Sequence, residues 1–413
     1  MRLLYNIGLI AYQILIHLAA LFNHKARLLV HGRRDTMKKL SYMRFTKPVI
    51  WFHAASLGEF EQGRPVIEAI KKQFPDKQIL LTFFSPSGYE VRKNYSMADH
   101  IFYLPGDSPR NAARFIDTIK PEMAFFIKYE FWFHYLSALK KRNIPIYGVS
   151  VIFREHQPFF KWYGKWFRQI LGCYSKFYLQ DQKSLDLYKR AGYDNAVVCG
   201  DTRFDRVWEI ASLSREVEIA RKFTQGCDKV IVAGSTWPKD EILLAKYINS
   251  HPNVKLIIAP HEVHDEHILK LETLFRVPHF RYTQAPHGVE NFRVMVLNTI
   301  GMLSSIYRYG SVAYVGGGFG KGIHNTLEAA TYSTPVVFGP NHKKFKEAID
   351  LIHVGGGFTI NNYDDLNDYF TQFFSNPEFL IQSGEKAGEY VNSMRGATEL
   401  IMSEVFENQD TMS

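Results

Sequence analysis

The stretch V-I-W-F-H-A-A-S-L-G-E at 49–59 decides how the chain is read. Residues 49–53 are β-branched, aromatic or otherwise strand-forming, the composition of a short strand buried on both faces of a parallel sheet. The small residues Ala54, Ala55, Ser56 and Gly58 then allow a tight turn and a close ligand approach. A helix is expected to start near Gly63 or Arg64, so that Glu59 projects from a strand-to-helix loop where a carboxylate can serve as a general base. The spacing S-x-x-E at 56–59 fits a capping box equally well, and both readings stay open at this point. Strand-like runs continue at 79–84, 100–104, 123–128, 146–151, 177–180 and 196–199, separated by helix-length segments. After a polar helical stretch at about 206–225, a second series follows at 230–233, 255–259, 294–297, 312–315 and 335–338. Such alternation implies βαβ units and parallel sheets. The expected fold class is therefore α/β: two Rossmann-like, doubly wound domains facing a cleft. The expected division is an anchor helix at 1–24, an acceptor-binding domain at 25–210 and a donor-binding domain at 211–413, with room for the last helix to pack back on the first domain. Ligands of open α/β sheets bind beyond the carboxyl ends of the strands, so the cleft is the expected site.

Composition narrows the function. A chain of 413 residues is too long for one ordinary core. A mean hydropathy of -0.19 excludes a polytopic membrane protein, and 15% aromatic residues argue against disorder. Fifty Lys and Arg against 41 Asp and Glu give a net charge of +9. That excess favours an anionic partner: nucleic acid, an anionic membrane surface or a phosphorylated substrate. Cys173, Cys199 and Cys227 show no CxxC spacing, which fits a reducing compartment rather than disulfides or structural zinc.

Residues 3–22 form an apolar run interrupted by Asn6, Gln13 and His17, which share one helical face. The run has the length to cross a bilayer or to lie in its surface. Lys25, Arg27, Arg33 and Arg34 follow it, and a basic flank on that side keeps the next domain in the cytoplasm. A cleaved signal peptide would carry its charge before the apolar run. A membrane anchor on the cytoplasmic side is expected, with a buried helix as the alternative. The stretch P-F-F-K-W-Y-G-K-W-F-R at 158–168 interleaves aromatics with cations. As a helix it places Phe159, Trp162, Trp166 and Ile170 on one stripe; as an open surface it suits a phosphorylated lipid or nucleic acid. Beside an anchor the lipid is the expected partner, and nucleic acid is not.

Further motifs end strands. K-Y-E-F-W at 128–132 places Glu130 either facing the cleft or paired with Lys128 or Arg142. G-G-G-F-G-K-G-I-H-N-T-L-E at 316–328 can present backbone N–H groups to phosphate, although it is no Walker A loop. Asn325 and Glu328, three apart, can face one ligand, the amide near phosphate and the carboxylate on ribose hydroxyls. G-S-T-W at 234–237, A-P-H-E at 259–262 and D-T-R-F-D at 201–205 are weaker signals, and helix caps would explain Ser235 and Thr236 as well as ligand contact. His261, His264 and His267 drift round a helix without a fourth ligand, and no D-x-D motif occurs, so no metal is expected.

Taken in order, W-F-H-A-A-S-L-G-E (51–59), Y-E-F-W (129–132), G-D-T-R-F-D (200–205), G-S-T-W (234–237), A-P-H-E (259–262) and G-I-H-N-T-L-E (322–328) resemble the 3-deoxy-D-manno-octulosonic acid (Kdo) transferases of Gram-negative lipid A synthesis. The resemblance covers nearly the whole chain. It implies a GT-B glycosyltransferase at the cytoplasmic face of the inner membrane that needs no metal or cofactor. CMP-Kdo would be the donor, the lipid A precursor lipid IVA the acceptor, and anionic inner-membrane lipids a further partner. By the same resemblance Glu59 stands at the general base, and Glu130 and Arg203 at groups that stabilise the transition state. The CMP contacts map to Pro260 and His261, to Gly301, Met302 and Leu303, and to Asn325, Thr326, Leu327 and Glu328, with Ser235 beside them. The chain departs from the family pattern at His261, where Arg is usual, at Met302, where an acid is usual, at Arg203, where Lys is usual, and at Lys128, often Glu. A GT-B enzyme using another nucleotide sugar and a membrane-tethered binding protein without catalysis are the alternatives.

Overall fold

The computed structural model describes residues 1–407, which contacts divide into two compact units. The first comprises Met1–Asp205 with the segment from Arg395 onward; the second is Arg206–Met394.

In the first unit the strands are β1 (Val49–Ala54), β2 (Gln78–Phe83), β3 (His100–Tyr103), β4 (Pro121–Ile127), β5 (Ile146–Val151), β6 (Lys176–Leu179) and β7 (Ala196–Val198). They form one parallel sheet in the order β3-β2-β1-β4-β5-β6-β7. Every residue of β1 is buried because helices cover both faces of the sheet. Successive side chains enter opposite layers: Trp51 packs with Leu80, Phe115 and Phe126, whereas Phe52 packs with Phe60, Ile67 and Phe125. The chain runs outward from β1 to β3 and returns beside β1 as β4, so the order reverses between β1 and β4. At their carboxyl ends that switch point opens a crevice.

Three local readings are corrected. The helix after β1 is Leu57–Gln73, so Glu59 lies in its first turn rather than in a loop. Gly58, Gly63 and Pro65 dilute the helical pattern, but Glu59 accepts from the N–H of Ser56 and initiates the helix six residues earlier than Gly63. Residues 158–168 are not one helix. A single turn at Pro158–Phe160 is followed by a helix at Lys165–Leu171, and between them Gly164 runs so close to the Pro158 carbonyl that a Cβ would collide with it. Phe159 is consequently buried while Trp162 is 92% exposed, and the apolar stripe does not form. The polar stretch after Arg203 is two helices, Arg203–Leu213 and Glu218–Thr224.

The first helix, Arg2–Ala19, is long and apolar enough to cross a membrane. Its polar face is occupied: the Tyr5 hydroxyl donates to Asp107 Oδ2 at 2.6 Å, Asn6 Oδ1 lies 2.7 Å from His134 Nε2, and Tyr12 stacks on Phe84. Leu3, Leu4, Ile7, Ile10, Ile14, Leu15 and Leu18 face outward. Helix His24–Ser41 carries the basic residues, and Arg27 donates back to the carbonyls of Ala20 and Leu21, where a cation complements the end of the preceding helix. The carboxyl-terminal helix Ala397–Met402 is fastened by Asp205, which accepts from the N–H groups of Gly396 and Thr398 and from the Thr398 hydroxyl. Ile401, Val405 and Phe406 enter the same layer as Phe52.

The second unit holds β8 (Val230–Thr236), β9 (Lys255–Pro260), β10 (His279–Arg281), β11 (Val294–Val296), β12 (Val312–Val315), β13 (Val336–Phe338) and β14 (Gly357–Thr359). They form a parallel sheet in the order β10-β11-β9-β8-β12-β13-β14, with its reversal between β8 and β12. The edge strands β10 and β14 escaped the sequence reading because H-F-R at 279–281 and G-F-T at 357–359 lack the continuous apolar run that marks the equally short V-M-V at 294–296 and V-V-F at 336–338.

Candidate functional site

At the carboxyl end of β1, His53 is fully buried, with Nδ1 2.9 Å from the Thr82 hydroxyl and Nε2 3.0 Å from Glu130 Oε2. Trp51 Nε1 donates to the same hydroxyl, and Trp132 Nε1 donates to the same carboxylate oxygen at 2.6 Å. The chain leaves β4 through Lys128 in the left-handed region (φ 66°), and the Tyr174 hydroxyl donates to the Glu130 carbonyl. Glu130 is therefore held from both its side chain and its backbone. It pairs with His53 and Trp132 rather than with Lys128 or Arg142, the latter being bonded to Asp117. Buried networks of this kind fix one geometry because each unmet partner is costly.

Glu59 Oε2 accepts from the N–H groups of Ala55 at 2.7 Å and Ser56 at 3.1 Å. Oε1 takes no hydrogen bond among the described residues, so helix initiation and proton acceptance are compatible in one side chain. Burial, followed by the charge of Glu130, pushes the Glu59 carboxyl up to about 7. One turn further along the same helix, Gln62 donates to Asp201 Oδ2. Asp201 also takes Arg203 through Nε at 2.9 Å and Nη2 at 2.8 Å. Burial alone would raise the Asp201 pKa, but the Arg203 charge and hydrogen bonds outweigh it and hold the group below its ordinary range. Glu59, Glu130 and Arg203 thus all lie at or just beyond the carboxyl ends of strands in one sheet.

In the second unit Asp240 is fully buried and organises the glycine-rich loop. It accepts from the N–H groups of Trp237 and Gly317, both at 2.9 Å, and from the Tyr314 hydroxyl at 2.7 Å. Trp237, not Ser235 or Thr236, stands at the N-cap position of the helix Pro238–Ser250, where Asp240 accepts from its N–H. Gly316 passes so close to Ser235 that a side chain would collide with its backbone. The loop borders a cavity of about 490 Å³ lined by Trp237, Asp240, Phe319, Lys321 and His324 among others.

His261, which follows Pro260 at the end of β9, stacks on the rings of Trp237 and His324, each at 4.6 Å. Trp237 Nε1 donates to His324 Nε2, so that nitrogen carries no proton. Burial and the neighbouring His261 pull the His324 pKa down to about 4, in keeping with a neutral ring. Asn325 Nδ2 donates to Glu328 Oε1 at 3.0 Å, and Ser304 donates to Glu328 Oε2 at 2.6 Å. Ser304 lies on the short helix Leu303–Ile306, capped by Met302 after Gly301 turns left-handed (φ 90°). The segments 301–304 and 325–328 are thereby joined through one carboxylate. Thr326 and Leu327 are buried, and Thr326 Oγ1 has no partner among the described residues. His264 caps its own helix and His267 pairs with Glu241, which separates both from His261. His53, Trp132, Asp201, Trp237, Asp240 and His324 were not singled out from sequence. Each stands within or beside a motif that was, and only the pairing across strands marks it.

Two doubly wound parallel sheets, each gathering polar side chains beyond the strands at its switch point, define the GT-B architecture. Solved structures with this fold include the UDP-GlcNAc 2-epimerase from Neisseria meningitidis (TM-score 0.59, 14% identity, covering 88% of this chain and 100% of that one) and MurG from Acinetobacter baumannii (0.55, 15%, 87% and 99%). Residues 28–206 match the family described as 3-deoxy-D-manno-octulosonic-acid transferase (kdotransferase). The 3-deoxy-D-manno-octulosonic acid transferase of Haemophilus influenzae is 27% identical over 370 residues, spanning 86% of this chain and 85% of its own. That of Aquifex aeolicus is 26% identical over 363 residues, spanning 84% and 93%. The chain is thus related to the Kdo transferases along most of its length, and it is a glycosyltransferase.

Proposed function

We propose that this glycosyltransferase moves Kdo from CMP-Kdo to a primary hydroxyl of the lipid A precursor lipid IVA. The observation that carries the reading is Glu59: a carboxylate with one oxygen fixed by two backbone N–H groups, the other unengaged, and a pKa pushed up to about 7. Such a group is matched to taking a proton near neutral pH. The acceptor oxygen forms the new bond to the anomeric carbon while its proton passes to Glu59. The bond from that carbon to the phosphate oxygen breaks, CMP leaves with the electron pair, and the configuration inverts. Glu130, held by His53 and Trp132, balances positive charge developing on the sugar. Arg203 and the backbone N–H groups of the glycine-rich loop stabilise charge gathering on the phosphate. Asn325 and Glu328, with Pro260, His261 and the 301–303 turn, hold the nucleotide, and no metal or cofactor is called for.

The exposed apolar face of the first helix and the basic residues after it support a position at the cytoplasmic face of the inner membrane. With the polar face of that helix docked on its own domain, it lies in the surface rather than across the bilayer.

The test is an assay of the purified chain with CMP-Kdo generated in situ, lipid IVA and EDTA, read by mass spectrometry. A gain of one or more Kdo units is expected. No product, with CMP still bound, would overturn the sugar or the acceptor. Titration is expected to show CMP binding at least about tenfold tighter than UMP, roughly 1.4 kcal/mol. Equal affinities would overturn the donor assignment.

A further inference from the structure

Arg33, on the helix His24–Ser41, makes no ion pair among the described residues, although Nε and Nη2 are both buried without a hydrogen-bond partner. Its guanidinium lies over the Phe84 ring at 4.3 Å and shares a hydrogen bond with the Tyr12 hydroxyl, and the other titratable groups that act on it are the phenols of Tyr135 and Tyr103. Burial lowers its pKa from the ordinary value. A buried cation that faces only neutral groups is costly, and natural structures seldom keep one without a counter-charge. Nε and Nη2 form one edge of the guanidinium fork, the edge that grips a planar or tetrahedral oxyanion with two parallel hydrogen bonds.

Arg33 lines a cavity of about 430 Å³ bounded by the first helix, the second helix and residues 105–111. Arg34 and His17, both exposed, stand at its rim, while Ile16, Leu29 and Met37 supply apolar wall. On the same first helix, and in the turn that follows it, Ile14, Leu18, Leu21 and Phe22 are exposed, Phe22 at 91%. A cation-lined cavity beside an apolar face has the two halves of a lipid: charge for the headgroup and hydrocarbon for the acyl layer. Two arginines match the two charges of a phosphomonoester better than the single charge of a phosphodiester.

We propose that this cavity binds the phosphomonoester headgroup of a membrane lipid, gripped side-on by Arg33 with Arg34 and His17 at the rim. The inference rests on the membrane-surface placement, not on the sugar-transfer assignment.

The test compares the full chain with R33M and R33Q. In detergent, soluble dihexanoyl phosphatidic acid at about 100 times its Kd is expected to raise the wild-type Tm by several degrees, to leave both variants unmoved, and to exceed any shift from inorganic phosphate. Vesicles of phosphatidylcholine doped with phosphatidic acid are expected to bind the wild type about tenfold more tightly than vesicles doped with phosphatidylserine to the same surface charge. R33M is expected to lose that preference and to keep its binding to the phosphatidylserine vesicles. Because no carboxylate pairs with Arg33, and its Nε and Nη2 are unmet, R33M is expected to equal or exceed the wild-type Tm without lipid. A loss of several degrees there would make Arg33 structural and overturn the proposal. Retained preference in R33M, no preference in the wild type, or an equal shift from inorganic phosphate would also overturn it. Binding to neither vesicle would overturn the membrane placement along with it, whereas the Kdo mass gain reads the transferase assignment separately.

Discussion

Replacing Glu59 with glutamine lowers the rate of transfer by roughly 10²–10⁴-fold, the range supplied by a positioned proton acceptor. The amide oxygen of Gln can still accept from Ala55 and Ser56, so the helix start survives and CMP affinity stays within about twofold in a calorimetric titration. Near-normal turnover in E59Q would remove Glu59 as the base. The wild-type rate is expected to climb with pH and level off above about 7, because only the deprotonated carboxylate accepts a proton. Stability runs the other way. The folded pKa lies above the ordinary 4.5, so the folded chain holds this proton more tightly than the unfolded one. The contribution of Glu59 to stability is complete below pH 4.5 and is lost as pH rises through about 7. Glu130 contributes to that shift, and E130Q is accordingly expected to move the rate profile to lower pH as well as slow transfer.

Asp240→Ala is expected to cost about 3–4 kcal/mol, seen as an early unfolding transition of the second unit in denaturant. The substitution leaves the N–H groups of Trp237 and Gly317 and the Tyr314 hydroxyl without an acceptor in a buried site. The same change frees the glycine-rich loop, so CMP affinity falls by at least about tenfold even where the fold persists. An unaltered unfolding midpoint would mean that water or another group satisfies these donors. His324 offers a contrast: with its pKa near 4, the Trp237–His324 hydrogen bond is expected to persist through neutral pH, and CMP binding is expected to show no titration between about pH 6 and 8 from this ring.

Both halves of the α/β architecture were legible because parallel strands covered on both faces are continuous apolar runs, as V-I-W-F at 49–52 and V-I-V-A at 230–233 show. The motifs at 51–59, 129–132 and 322–328 were legible for a different reason: they combine small residues with carboxylates directly after strands. Boundaries were less secure. The start of the helix at Leu57 depended on Glu59 folding back onto the Ser56 N–H, a contact worth more than the propensity lost at Gly58 and Pro65. The break at Gly164 depended on a close backbone approach that no periodicity reveals.

The amino-acid sequence alone determined the class of sheet, the number of units and the residue types available for chemistry, because those follow from local pattern and from turns that only small residues permit. The tertiary structure decided what each charge does. Glu130 meets His53 across 77 positions and Asp201 meets Gln62 across 139, and Arg33 is left buried without a counter-charge only once two helices and residues 105–111 close around it. Pairing, burial and desolvation are properties of neighbours in space, and the strand order that sets those neighbours arises from crossovers far apart in the chain.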